Sequence, residues 1–102
     1  MRLPTHRPPL HPSEILREEF MQPYHLTQSE LAKAIGLPVE QVAEIVHGQK
    51  PITPEVALRL SRLLGTSPEL WLHGQIQWDI WQVLHSDKAS ELETIQQLAL
   101  LP

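Results

Sequence analysis

The side chains here that could do covalent or metal chemistry are few and badly spaced for it. Cysteine is absent, which removes thiolate nucleophiles, thiolate metal sites and disulfides. The histidines are His6, His11, His25, His47, His73 and His85. No two of them fall at the three- or four-residue spacing that places two ligands on one helical face, so neither a metal nor a cofactor is expected. No carboxylate pair, nucleophile–base arrangement or glycine-rich phosphate loop stands out, and no catalysis is expected. What the residues do offer is recognition chemistry. Gln28 stands where a helix begins, and the free N–H groups of a helix N-terminus suit a phosphate. Val39, Glu40, Ala43 and Glu44 share the outward side of another helical segment. Valine can meet a thymine methyl, and a glutamate can accept a hydrogen bond from cytosine N4.

The elements that must position these groups are legible in the run from Gln28 to His47, Q-S-E-L-A-K-A-I-G-L-P-V-E-Q-V-A-E-I-V-H. Ala32 lies four residues before Gly36, Val42 six after it, and Ile45 three further on, with Leu31, Ile35 and Leu37 apolar between them. Two short helices that cross steeply need a small residue at their contact, which Ala32 supplies. The tight turn needs a residue that accepts positive φ, which Gly36 does. This is the spacing of a helix-turn-helix, whose second helix enters the DNA major groove.

The rest of the chain reads as helices around that unit. Residues 1–11 hold prolines at 4, 8 and 9 and are expected to form an extended, proline-rich arm that includes His6 and His11. Its Arg2 and Arg7 are candidates for a minor groove, although such a terminus is more often solvated. A first helix is predicted from Pro12 or Ser13 to about Met21, stopped by Pro23. Thr27 and Glu30 make a capping box for a second helix, Gln28 to Ile35. Pro38, in a first helical turn, opens a third that ends near His47. Thr53-Pro54 opens a fourth with Val56, Ala57, Leu60, Leu63 and Leu64 along one stripe, and Gly65 closes it. Arg59 and Arg62 on it read as a solvated face. Ser67-Pro68 opens a fifth helix, apolar on two sides: Leu72, Ile76, Ile80 and Leu84 form one row, Trp71, Trp78 and Trp81 another. Trp71 reads as core. Ser90 and Glu93 form a second capping box for a short terminal helix containing Leu92, Ile95 and Ala99. No strand pattern competes, so the fold is expected to be all-α with five to six helices.

Three segments carry a family resemblance: H-P-S-E-I-L-R-E-E-F, L-T-Q-S-E-L-A-K-A-I-G and I-T-P-E-V-A-L-R-L-S-R-L-L-G-T-S-P-E-L-W-L. Together they resemble the HigA (VapI-like) antitoxins, a branch of the Cro/phage-repressor (XRE) type helix-turn-helix proteins. The likeness spans about residues 11 to 84, and G-T-S-P-E-L-W-L is its most specific part. It implies a lambda-repressor-like bundle with a helix-turn-helix domain over 12–66 and a C-terminal helical extension over 67–102. It also implies a transcriptional regulator that represses its own operon and binds and neutralises an mRNA-cleaving toxin of the HigB type. The DNA-facing residues it implies are Thr27, Gln28, Pro38, Val39, Glu40, Gln41, Ala43, Glu44, His47, Gln49 and Lys50. Relatives usually carry Ser or Thr at the position of Pro38, often Asn at that of His47, and a more basic run after Gly48.

Length, charge and composition bound these readings. A chain of 102 residues is one domain with room for a core. The formal net charge is −4, and most of the acidity lies beyond residue 75, in Asp79, Asp87, Glu91 and Glu93. DNA affinity comes largely from neutralised phosphates, so two subunits are expected to act together on a palindromic operator. Trp78, Ile80, Trp81 and Leu84 are the expected homodimer interface, because aromatic residues are enriched at interface cores. No signal peptide or membrane span is apparent, and a cytoplasmic, nucleoid-associated protein is expected. The acidic third helix keeps a second reading open, a protein-interaction module (antitoxin or adaptor) with little DNA affinity.

Overall fold

The computed structural model describes residues 8–99, and every regular element among them is a helix. The expected all-α fold is what the described residues adopt. His6, Arg2 and Arg7 lie outside them. The first helix, α1, is Pro12–Ile15 and continues without a break into a π-helical stretch, Leu16–Met21. The wider turn is marked by the Gln22 N–H, which donates to the Arg17 carbonyl five residues back at 2.9 Å. His11, the last residue of the expected arm, has extended backbone (φ −68°, ψ 140°) but is packed into the fold. It is buried, and its Nδ1 accepts from the Ser13 backbone N–H at 3.0 Å, capping α1 in the place usually held by Ser, Thr, Asp or Asn.

The two helices of the predicted motif form as expected. α2 is Gln28–Ile35, with the Thr27–Glu30 capping box closed at both ends. Gly36 follows it in the left-handed region, φ 74°. α3 is Val39–Val46. Pro38 precedes this helix instead of lying in its first turn; its ψ of 143° is extended. Leu31, Ala32 and Ile35 of α2 meet Val42, Ile45 and Val46 of α3 in one buried cluster.

α4, Pro54–Leu64, has the Thr53 cap and the Gly65 stop read from the sequence. Val56, Ala57 and Leu60 are buried, but Leu63 is 41% exposed. Leu64 still packs against the core, whereas Leu63 turns outward and lines a shallow groove with Tyr24, Leu26 and Leu64. α5, Pro68–Leu84, opens on the Ser67 cap. Trp71 is fully buried, packs against Phe20 at 5.6 Å between ring centroids, and donates its Nε1–H to Thr66 Oγ1 at 2.8 Å. Full burial of a large apolar side chain of this kind stabilises a fold by about 1.5–3 kcal/mol.

The C-terminal helix differs most from expectation. α6 is Lys88–Glu93, so Ser90 lies inside it and donates to the Asp87 carbonyl at 3.1 Å instead of capping. The Ser90–Glu93 box does not form, because Ser86 already accepts from the Lys88 N–H at 3.2 Å and starts the turn earlier. Ile95 and Ala99 fall beyond the helix, and nothing in α6 is buried. Among the described residues, no helix is long and apolar enough to cross a membrane.

Candidate nucleic-acid interface

The outward side of α3 follows from its inward side. With Val42, Ile45 and Val46 in the core, the helical period leaves Val39, Glu40 and Gln41 exposed and Ala43 and Glu44 half-buried. Pro38, His47, Gln49 and Lys50 are exposed at its two ends. Gly48 takes φ 73°, which reverses the chain so that the N–H groups of Gln49 and Lys50 return to the Glu44 carbonyl at 2.8 and 3.3 Å. Gln41, Glu44 and Lys50 then line one depression with Pro51 and Thr53.

At the other end, Thr27 and Gln28 open α2. The Gln28 side-chain N–H donates to His47 Nε2 at 3.0 Å, joining the start of α2 to the end of α3. The Thr27 backbone and hydroxyl both hydrogen-bond in the capping box, and the Thr27 N–H holds the exposed Glu30 carboxyl below its ordinary range. Thr27, Gln28 and His47 line a groove of about 590 Å³ with Arg17, Met21 and His25. His25 is the one non-glycine residue at positive φ among the described residues, 54°.

Two arginines hold the motif from behind. Arg59 is not merely solvated: its Nη1 donates to the Ile35 carbonyl at 2.7 Å, while Glu55 pairs with it at 3.0 Å. It thus satisfies a carbonyl at the open end of α2. Arg17 does the same for α3 by donating to the Val46 carbonyl. Sequence reading missed both. For Arg17 the available signal was Ser13 four residues earlier, whose hydroxyl it also meets at 3.4 Å. The structure therefore brings Thr27, Gln28 and His47 together at one groove, Gln41, Glu44 and Lys50 at another, and leaves Val39 and Glu40 on the open surface between helix ends.

The expected interface residues of α5 are placed differently from one another. Trp78 is half-buried, its ring edge-on to His11 of the same chain at 5.0 Å. Trp81 is half-buried and stacks on His85 at 3.5 Å. Ile80 and Leu84 line an apolar depression with Val83 and Leu92.

The sequence profile of the helix-turn-helix family matches residues 18–71. The chain belongs to the helix-turn-helix family. This is a non-enzymatic class of regulators. Within the family, the chain is 41% identical over 83 residues to Virulence-associated protein I of Dichelobacter nodosus, covering 81% of this chain and 76% of that protein. Among solved structures it is similar to the antitoxin GraA in complex with its operator, with TM-score 0.85 and 32% identity over 97% of this chain and 100% of that one. It is similar also to the Pseudomonas aeruginosa antitoxin HigA with the higBA promoter, with TM-score 0.82 and 30% identity over 89% of this chain and 99% of that one. The resemblance to HigA and VapI proteins read from the sequence is thereby established.

Proposed function

We propose that this helix-turn-helix protein is a sequence-specific DNA-binding regulator and the antitoxin of a type II toxin–antitoxin pair. It represses its own operon and neutralises an mRNA-cleaving toxin of the HigB type by binding it. The observation that carries the reading is the likeness, over 97% of the chain, to an antitoxin held on its operator. In this reading Thr27 and Gln28 hold a phosphate at the start of α2, as free helix N–H groups do. Val39, Glu40, Ala43 and Glu44 face the groove floor, and Pro38, Gln41, His47, Gln49 and Lys50 flank it. The glutamates repel phosphates, so each is tolerated only where it accepts from a base donor such as cytosine N4.

The protein works as a homodimer through Trp78, Ile80, Trp81 and Leu84, with residues 12–66 as the reading unit and 67–102 as the dimerising one. The two α3 helices then lie about 34 Å apart, one turn of DNA. Its site of action is the cytoplasm, on the nucleoid when bound to DNA. The second reading, an interaction module with little DNA affinity, is favoured by one observation: Glu40 and Glu44 both lie on the outward side of α3.

A gel shift with the DNA upstream of its own gene separates the two. The regulator binds that DNA, and a dimer touching about six phosphates loses about a thousandfold in affinity between about 50 and 200 mM salt. No shift at either salt, with binding to the adjacent toxin retained, selects the interaction module.

A further inference from the structure

The groove where the π-helical stretch meets α2 and α3 is electrostatically unlike the chain as a whole. Arg17, His25, Gln28 and His47 line it, and no carboxylate among the described residues does, although the chain as a whole carries a net charge of −4. Inside it the Gln28–His47 bond imposes a condition. The Gln28 amide nitrogen lies 3.0 Å from His47 Nε2; with the amide as donor, that ring nitrogen is bare and the imidazole neutral. Adding a proton puts an N–H on Nε2, and two donors then face each other. The pair is restored when the Gln28 amide turns through half a revolution and accepts through Oε1. That turn swings the amide NH₂ away from His47, free for another acceptor.

We propose that the Gln28–His47 pair makes DNA binding proton-linked, with protonated His47 and the turned Gln28 amide clamping a backbone phosphate. The inference rests on the DNA-binding reading above and adds to it a regulation by pH. One proton does two things at this place. It adds a positive charge beside the phosphate, and it exchanges an acceptor for a donor on the residue that opens α2. Of the groups facing the groove, Arg17 comes from the π-helical stretch after α1 and His25 from the turn before α2. Arg17 already donates to the Val46 carbonyl. On α3 itself the nearest charge is Glu44, which lines the neighbouring depression with Lys50. Imidazole is the side chain whose ordinary titration falls between about pH 5 and 8, which sets the range to be searched. A bound phosphate favours the charged ring, so protons are taken up on binding and affinity rises as pH falls.

The test is fluorescence anisotropy with the DNA upstream of the gene, at fixed ionic strength between about pH 5.5 and 8. Circular dichroism at each pH holds loss of folding apart from loss of binding. The expected result is affinity that rises toward acid by up to about tenfold per pH unit, the limit for one linked proton, and a flat profile for His47→Asn. In the unaltered protein, the His47 ring signals in NMR titrate at higher pH on DNA than free. Binding that does not vary with pH, a slope kept by His47→Asn, or no such displacement of the His47 titration overturns the inference and leaves the regulator reading standing. No binding at any pH overturns the regulator reading and the inference together.

Discussion

At the scale of single residues, His11 shows how one side chain can tie distant parts of this fold to the state of a proton. Its Nδ1 accepts from the Ser13 N–H, which only the neutral ring can do. Burial lowers its pKa below the ordinary 6.5, and Arg17 adds to the lowering, while Asp79 and Glu14 oppose it. A base with a depressed folded-state pKa binds more protons when unfolded. Its contribution to stability is therefore complete above 6.5 and is lost as pH falls from there through the folded value. Urea midpoints measured in steps from about pH 7.5 to 5 should be level and then decline below about 6.5. His11→Asn keeps a capping acceptor without the titration and should flatten that decline. Glu30 acts in a separate window. Its carboxyl is held below 4.5 by Thr27, so its contribution is present above that value and is lost only at lower pH. The burial that lowers the His11 pKa was not legible in H-P-S-E, because Trp78, whose ring meets it, is remote in sequence.

At the scale of elements, the helix boundaries set by local chemistry were the legible ones. Thr27 with Glu30, Thr53 with Pro54 and Ser67 with Pro68 each start the helix they announce. Such signals act within one turn of chain, so the sequence contains the whole of their cause. Ser90 failed because a competing hydroxyl, Ser86, stands four residues before it. Gln75 was missed for another reason: it sits on the polar side of neither apolar row, yet it is buried. Its Oε1 accepts from the Ile52 N–H at 2.8 Å, and its Nε2 donates to Asp79 at 3.0 Å. It thereby fixes the loop after α3 to α5, and with it the direction in which Gln49 and Lys50 leave the helix. Gln75→Leu keeps the volume but strands a buried backbone donor, which costs about 1–3 kcal/mol. In urea unfolding its midpoint should fall accordingly, whereas Gln82→Leu, at an exposed position of the same helix, should stay within about 0.5 kcal/mol of the parent. Equal effects of the two would remove Gln75 from this role.

At the scale of the whole molecule, the described chain is longer than its size requires. It measures 55 × 29 × 23 Å with a radius of gyration of 16.8 Å, against about 13 Å for a compact chain of about 100 residues. The excess comes from the far half of α5 and from α6, which leave the core behind. Ile80 and Leu84 lie there with Leu92, around an apolar depression that the described residues do not fill. A second copy filling it predicts sedimentation at twice the 11.7 kDa chain mass. Ile80→Glu should convert the species to monomer with its helix content retained. A monomer at micromolar concentration in the unaltered protein would remove this face as the dimer surface. The sequence announced the apolar rows of α5 but not where the core stops along them, since that depends on which helices stand opposite.

The emptiness of α6 also bears on how long each copy of the chain survives. A helix of six residues with no buried side chain is far below the length at which a helix holds itself together in water. In a lone subunit such a helix opens readily, and the bonds of Lys88–Glu93 are then open to a protease. In the proposed dimer, Leu92 has something to rest on, and opening becomes rarer. Cleavage there removes the acidic end of the chain and leaves the α2–α3 unit whole. With that dimer the lifetime of the intact protein would follow the fraction assembled, sparse subunits being trimmed quickly and abundant ones slowly. Its abundance then decays faster the lower it falls.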